Sequence, residues 1–260
     1  NPVESLRPDA AWLGEPRIFP IEAGSLAGTV RDGNNCFNLN ALVTASERGV
    51  LEADPVQLTR FEQLLRAIDI PGGDAVRIAA QAADWIDSDV RPLPSGGEDD
   101  VYARPDRPVY RTGNTLMAER EELLALEAVT PDLYRRMAPF VCARPDTAAL
   151  PLNLNTLTLE QWPLLAALFE GALTRVAAEG ILLQRPEAGF ASANAFWNLD
   201  TVAALEADAT LREAVGIDTR YFELRIDVVH AGQDYRLDGL VEVLDGGLVR
   251  RVSQRYGNVT

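Results

Sequence analysis

Oxygen-bearing side chains crowd one stretch of the chain. Between Asp84 and Glu122 lie Asp84-Trp85-Ile86-Asp87-Ser88-Asp89, Gly96-Gly97-Glu98-Asp99-Asp100, Tyr102, Tyr110, Asn114, Glu119, Glu121 and Glu122. Pro92, Pro94, Ser95, Pro105 and Pro108 interrupt the acids, so the segment reads as a long non-helical loop. Loops of that length within a compact domain are usually functional or disordered. A hard cation supplies a reason for order, because calcium takes about six to eight oxygens from carboxylates, amides, main-chain carbonyls and water. Asp87, Asp89, Glu98, Asp99, Asp100 and Asn114 could supply that set. Their spacing is not that of the EF-hand loop, and a solvated acidic loop accounts for the composition alone.

The same carboxylates admit an enzyme reading. A carbohydrate hydrolase needs two carboxyls across a sugar-binding cleft, here Glu98 with an Asp partner, and aromatic surface nearby. Trp85, Tyr102 and Tyr110 are neighbours in sequence, although a core anchor and loop packing are the simpler roles for them. Other chemistries are excluded more firmly. A single histidine, His230, rules out zinc sites built on several imidazoles and leaves little room for Ser-His-Asp machinery. It ends an alternating run at a turn, which is a surface position.

Charge and composition narrow the partners. The chain has 260 residues, with Asp+Glu 39 against Lys+Arg 24, a formal charge of -15 and no lysine. Such an acidic protein is a poor match for nucleic acid held through phosphates. The run from Glu121 to Tyr134 has helix-hairpin-helix character, but its hairpin Ala128-Val129-Thr130-Pro131 lacks the glycines of DNA-binding versions, so its role is structural. No run of about 18 apolar residues is present, so no segment reads as spanning a membrane. Cys36 and Cys142 permit one intrachain disulfide, with two buried free thiols as the alternative.

The elements that must position these groups divide into strands at both ends and helices between. Tyr221 to Val229, Tyr235 to Leu244 and Leu248 to Tyr256 alternate apolar and polar residues and are joined by short turns, which predicts an antiparallel meander. Arg17 to Val30 contains short apolar runs punctuated by glycine, again strand-like. Leu58, Phe61, Leu64, Leu65 and Ile68 recur at helical spacing, predicting a helix over 56–69. A second helix follows with Asp74 as its N-cap, then helices over 115–126, 131–140 and 159–173, the last opened by the capping box Thr158-Leu159-Glu160-Gln161. If the terminal strands share one sheet, the helical middle is an insertion into it. Phe37-Asn38-Leu39-Asn40-Ala41-Leu42 and Leu152-Asn153-Leu154-Asn155-Thr156-Leu157 repeat one pattern, and both read as helix entries.

Taken in order, Cys36 to Leu42, Asp84 to Asp89, Gly97-Glu98-Asp99 with Tyr102, Asn114, Glu122-Leu123 and Asn153 to Thr156 resemble the minor pseudopilin K family of type II secretion. The resemblance covers most of the chain. It implies an α+β fold: a pilin-like domain with an antiparallel sheet, 1–40 and 190–260, interrupted by an inserted all-helical domain over 41–189. It implies a non-enzymatic subunit that caps the periplasmic pseudopilus tip with minor pseudopilins I and J, the exported protein being a further candidate partner. Anchorage in the inner membrane would come from a hydrophobic N-terminal helix preceding Asn1. The family binds calcium in the insertion, which makes Glu98 and Asn114 the leading ligands, with Asp87, Asp89, Asp99 and Asp100 unranked. A periplasmic setting favours the Cys36–Cys142 disulfide.

Overall fold

Residues 13–103, 109–205 and 207–257 are described in a computed structural model of the chain. Residues 1–12 of the expected sheet domain, and Pro105 and Pro108 of the loop, lie outside them. The chain divides into two units, one formed by 1–35, 151–157 and 184–260 and the other by 36–150 and 158–183.

Alternation builds the first unit. Strands β1 (Arg17–Ile21), β2 (Gly24–Asp32), β3 (Tyr221–His230), β4 (Gln233–Val243) and β5 (Val249–Gly257) form one five-stranded sheet in that order, every neighbour antiparallel. The pleat sends Phe222, Leu224, Ile226 and Val228 to one face and Glu223, Arg225 and Asp227 to the other. Register then sets charges opposite each other: Arg225 faces Asp238 and Asp227 faces Arg236, with ion pairs of 2.9 and 2.7 Å. The β3–β4 turn uses left-handed residues, Ala231 at φ 50° and Gly232 at φ 78°, which matches the twist of a two-residue hairpin. His230 is exposed beside it. Strand β2 lies against β3 from Gly24 opposite His230 to Asp32 opposite Phe222, so the first and last strands belong to a single sheet, as the family resemblance implies.

Apolar spacing builds the helices of the second unit. Helix α1 (Pro55–Ala67) starts at Asp54, whose side chain accepts from the Val56 and Gln57 amides at 2.9 and 3.2 Å. It buries Phe61, Leu64 and Leu65. Helix α2 (Gly72–Ile86) buries Ile78, Ala79, Ala82, Ala83 and Ile86. Asp74 is not its cap: the helix begins two residues earlier after Pro71, and Asp74 sits in the first turn, paired with Arg77 at 3.5 Å. A single turn, α3 (Asp99–Tyr102), is followed by α4 (Pro131–Met137), α5 (Trp162–Leu168) and α6 (Arg175–Leu182).

Three predicted helices are shorter than their periodicity suggests, the one over 131–140 ending at Met137. Over 115–126 only a 3-10 stretch, Arg120–Ala125, forms; a capping box of Glu119 and Glu122 sets its start, with Glu122 accepting from the Ala118 and Glu119 amides at 2.7 and 3.3 Å. Over 159–173 the capping box closes on a 3-10 turn that runs into α5, and the chain leaves helical geometry at Glu170 (φ 49°) and Gly171 (φ 87°).

The insertion also departs from the expected continuous 41–189. The unit boundaries fall at Asn35/Cys36 and Leu183/Gln184, and 151–157 returns to the sheet unit. The cause is local: Leu152–Asn153 pairs in parallel with Val215–Gly216, and the Leu152 amide donates to the Ala214 carbonyl at 2.9 Å. The two Asn-Leu-Asn motifs are accordingly not both helix entries. Asn38 caps a 3-10 turn, Leu39–Leu42, whereas Asn153 opens only the single turn in which Leu157 donates to its carbonyl at 3.0 Å.

Candidate metal centre

The acidic loop is shaped by the end of α2. The helix stops at Ile86, and Asp87 turns out of it into extended backbone. Asp89 accepts from the Arg91 amide at 2.7 Å, which bends the chain back. Two glycines then carry it to Glu98, the residue before α3, whose side chain makes no capping bond and is left for the centre. Oxygens of Asp87, Asp89 and Glu98 lie within 4.8 Å of one another. Asp87 and Glu98 are 4% and 5% exposed, and Asp89 faces solvent.

A segment from Thr112 to Asn114 closes the other side. The Thr112 hydroxyl lies 3.2 Å from Glu98 Oε2 and from Asp99 Oδ1, and its amide donates to Asp99 Oδ1 at 3.0 Å. The Asn114 amide donates to the Trp85 carbonyl at 3.0 Å, while its side-chain Nδ2 donates to the Asp89 carbonyl at 3.1 Å. Asn114 holds a φ of 44°, one of the conformations asparagine tolerates better than most residues.

The electrostatics of this arrangement are unfavourable by themselves. Burial, then Asp84, then Asp89 push the Asp87 carboxyl up to about 7. Burial, then Asp84, raise Glu98 to about 7 as well, against the opposing bond from Thr112. Asp87 Oδ1 and Glu98 Oε1 are buried with no hydrogen-bond partner. Such orphaned oxygens are rare and call for a physical reason. A divalent cation fits: all donors are oxygens, their charges are of one sign, and the orphans belong to two of the three grouped carboxylates. Asp87, Asp89 and Glu98 would hold it, and the ion would supply positive charge to a pocket that otherwise favours protonation.

The remaining acids have other surroundings. Asp99 is engaged by Thr112 and by Arg111 at 3.7 Å, and Asp100 is exposed in α3. Glu122 takes the Trp85 indole N–H at 3.1 Å. Trp85 is buried, edge-on to Tyr102 at 5.6 Å, and Tyr102 stacks on Tyr110 at 5.2 Å, so these aromatics pack the base of the loop. The grouped oxygens of Asp87, Asp89 and Glu98, two of the carboxylates buried with an unpartnered oxygen, suit a bound cation. Two residues beyond the predicted ligand set matter here, Asp84 and Thr112. Asp84 was visible among the acids of the loop, and no pattern marked Thr112. The Cys36–Cys142 disulfide is present, with a Cα separation of 5.8 Å.

A five-stranded antiparallel sheet interrupted by a helical insertion that carries buried carboxylates defines a pilin-like α+β protein with an inserted helical unit. Comparison with known proteins makes the assignment specific. Two profiles, both described as type II secretion system (T2SS), protein K, match residues 35–146 and 152–218. Type II secretion system protein K of Pectobacterium carotovorum subsp. carotovorum is 33% identical over 247 residues, 95% of this chain and 74% of that protein. The Klebsiella pneumoniae protein of the same name is also 33% identical, over 248 residues with the same coverage. Among solved structures, the crystal structure of the GspK-GspI-GspJ complex from the enterotoxigenic Escherichia coli type 2 secretion system matches with a TM-score of 0.84 and 27% identity, covering 98% of this chain and 88% of that one. The chain belongs to the type II secretion system protein K family, the minor pseudopilins that its motifs resemble. Among the described residues no helix is long and apolar enough to cross a membrane.

Proposed function

We propose that this protein assembles with the minor pseudopilins I and J, caps the tip of the periplasmic pseudopilus, and binds calcium in its helical insertion. The likeness to the protein K chain of a GspK-GspI-GspJ complex supports the assembly. Calcium binding rests on one observation: the buried, unpartnered oxygens of Asp87 and Glu98, grouped with Asp89. The ion neutralises the cluster and fixes the loop, giving the insertion a defined surface. Inner-membrane anchorage through a preceding hydrophobic helix belongs to the same reading, and the role is non-enzymatic.

Co-purification with the soluble domains of pseudopilins I and J tests the assembly. A stable complex in calcium is expected, and its absence would remove the proposed role. Isothermal titration with calcium chloride tests the metal. Binding is expected in the unaltered chain and lost in Glu98→Ala, and equal heats from both would refute the site. Fractionation of the full-length product, expected in the inner membrane, tests the anchor.

A further inference from the structure

We infer that Asp84 is the positioning residue of this centre: its buried carboxylate folds the turn that returns Glu98 to Asp87 and Asp89, without itself holding the ion. The inference rests on the calcium reading above and adds a residue to it. Asp84 is fully buried in the last turn of α2, one turn before Asp87. Unlike its neighbours, it is satisfied. The Leu93 amide donates to Oδ1 and Oδ2 at 3.1 and 3.2 Å, and the Gly97 amide donates to Oδ2 at 2.7 Å. The carboxylate thus joins both ends of the 93–97 turn, and the residue after Gly97 is Glu98.

Gly96 shows how tightly the turn is drawn. A Cβ placed there would fall 1.9 Å from Asp84 Oδ2 and 3.1 Å from the Leu93 carbonyl oxygen, so only glycine lets the turn close on the carboxylate. The location is otherwise adverse. A negative charge near a helix C-terminus opposes the macrodipole, and it also raises the cost of ionising Asp87 and Glu98. The two amide bonds give a reason for an acid here, and an acid rather than an amide, because a carboxylate offers acceptors only.

The test uses the whole chain, calcium titration, and amide hydrogen exchange at Leu93 and Gly97 without calcium. In the unaltered chain both amides should be protected before any ion is added. In Asp84→Asn the side-chain NH2 opposes one of the amides. Protection should fall, and calcium should bind roughly 10–100-fold more weakly, the range for partners that orient ligands. Gly96→Ala, which keeps Asp84, should act in the same direction and serves if Asp84→Asn does not fold. Glu98→Gln should lose calcium binding with protection intact. Folded Asp84→Asn or Gly96→Ala that binds calcium as the unaltered chain does would overturn the inference. So would weakened binding in Asp84→Asn with Leu93 and Gly97 still protected, since that is the signature of a ligand. Absence of calcium binding in the unaltered chain would refute the metal reading separately, because the exchange comparison is made without calcium.

Discussion

The two Asn-Leu-Asn motifs build the same device twice and secure it differently. In the helical unit the Phe37 amide donates to the Phe140 carbonyl at 2.8 Å, and Asn38 lies opposite Cys142 in a parallel pair. In the sheet unit Leu152 donates to Ala214 at 2.9 Å, and Asn153 lies opposite Gly216. The first asparagine of each then accepts from the amide two residues on, at 3.2 Å for Asn40 and 2.9 Å for Asn155. The second grips a distant peptide in both directions. Asn40 accepts from the Met117 amide at 2.8 Å and donates to its carbonyl at 2.9 Å, while Asn155 accepts from Phe190 at 2.7 Å and donates at 3.1 Å. Where one motif is backed by Cys36–Cys142, the other is backed by Asp32, which accepts from Asn153 Nδ2 at 2.9 Å and from Thr156 at 2.5 Å. The covalent version sits in the unit that also carries mutually repelling carboxylates; the hydrogen-bonded version sits with a sheet whose strands already pair along their length.

Breaking the covalent side should have the largest effect. Cys36→Ser with Cys142→Ser opens a loop of 106 residues' separation and should cost about 2–5 kcal/mol in chemical denaturation, with exchange rising at Phe37 and Asn38 and not at Leu152. Removing the second asparagine sharpens the contrast. Asn40→Ala strands the Met117 amide and carbonyl and also the Arg144 carbonyl, which Asn40 reaches at 2.7 Å, and should cost about 3 kcal/mol. Asn155→Ala strands only the Phe190 pair and should cost about 2 kcal/mol. Equal losses would show that the extra carbonyl contributes nothing.

The carboxylate loop of the helical unit should carry a pH response of its own. Asp87 and Glu98 titrate near 7 in the fold, against ordinary values of 3.8 and 4.5. Between those limits the cation-free folded state holds more protons than the unfolded one, so the contribution of these groups to stability falls as pH rises toward 7. Calcium should therefore raise the melting temperature most above pH 7 and least near pH 5, where protons occupy the same oxygens. A calcium shift independent of pH would contradict this. The smallest effect should come from a cap: Asp54→Ala at the start of α1 should cost about 1 kcal/mol, read as a drop in melting temperature.

The sheet was the most legible part of the chain, because alternation over Tyr221–His230 and Gln233–Val243 fixes both faces and register needs only a short turn. The helix over 56–69 was legible from the repeated apolar spacing of Leu58, Phe61, Leu64, Leu65 and Ile68, whereas its cap Asp54 is seen only in the fold. The helical stretch predicted over 115–126 starts only at Arg120, where Glu119 and Glu122 form a capping box, and Glu122 also takes the Trp85 indole, a long-range contact that periodicity does not record. In the loop the acids could be named from sequence, but their sorting could not. Asp87 and Asp84 are three residues apart on one helix end; one has an orphaned oxygen and the other is satisfied by Leu93 and Gly97, and only the folded turn distinguishes them.

The disulfide also decides what a proteolytic cut would do to this chain. Its two sulfurs bracket the entire carboxylate loop, from before α1 to after α4. A peptide bond cut anywhere between Asp87 and Asn114 would leave both fragments on a single covalent molecule, so a nicked subunit would still travel, and be counted, as one.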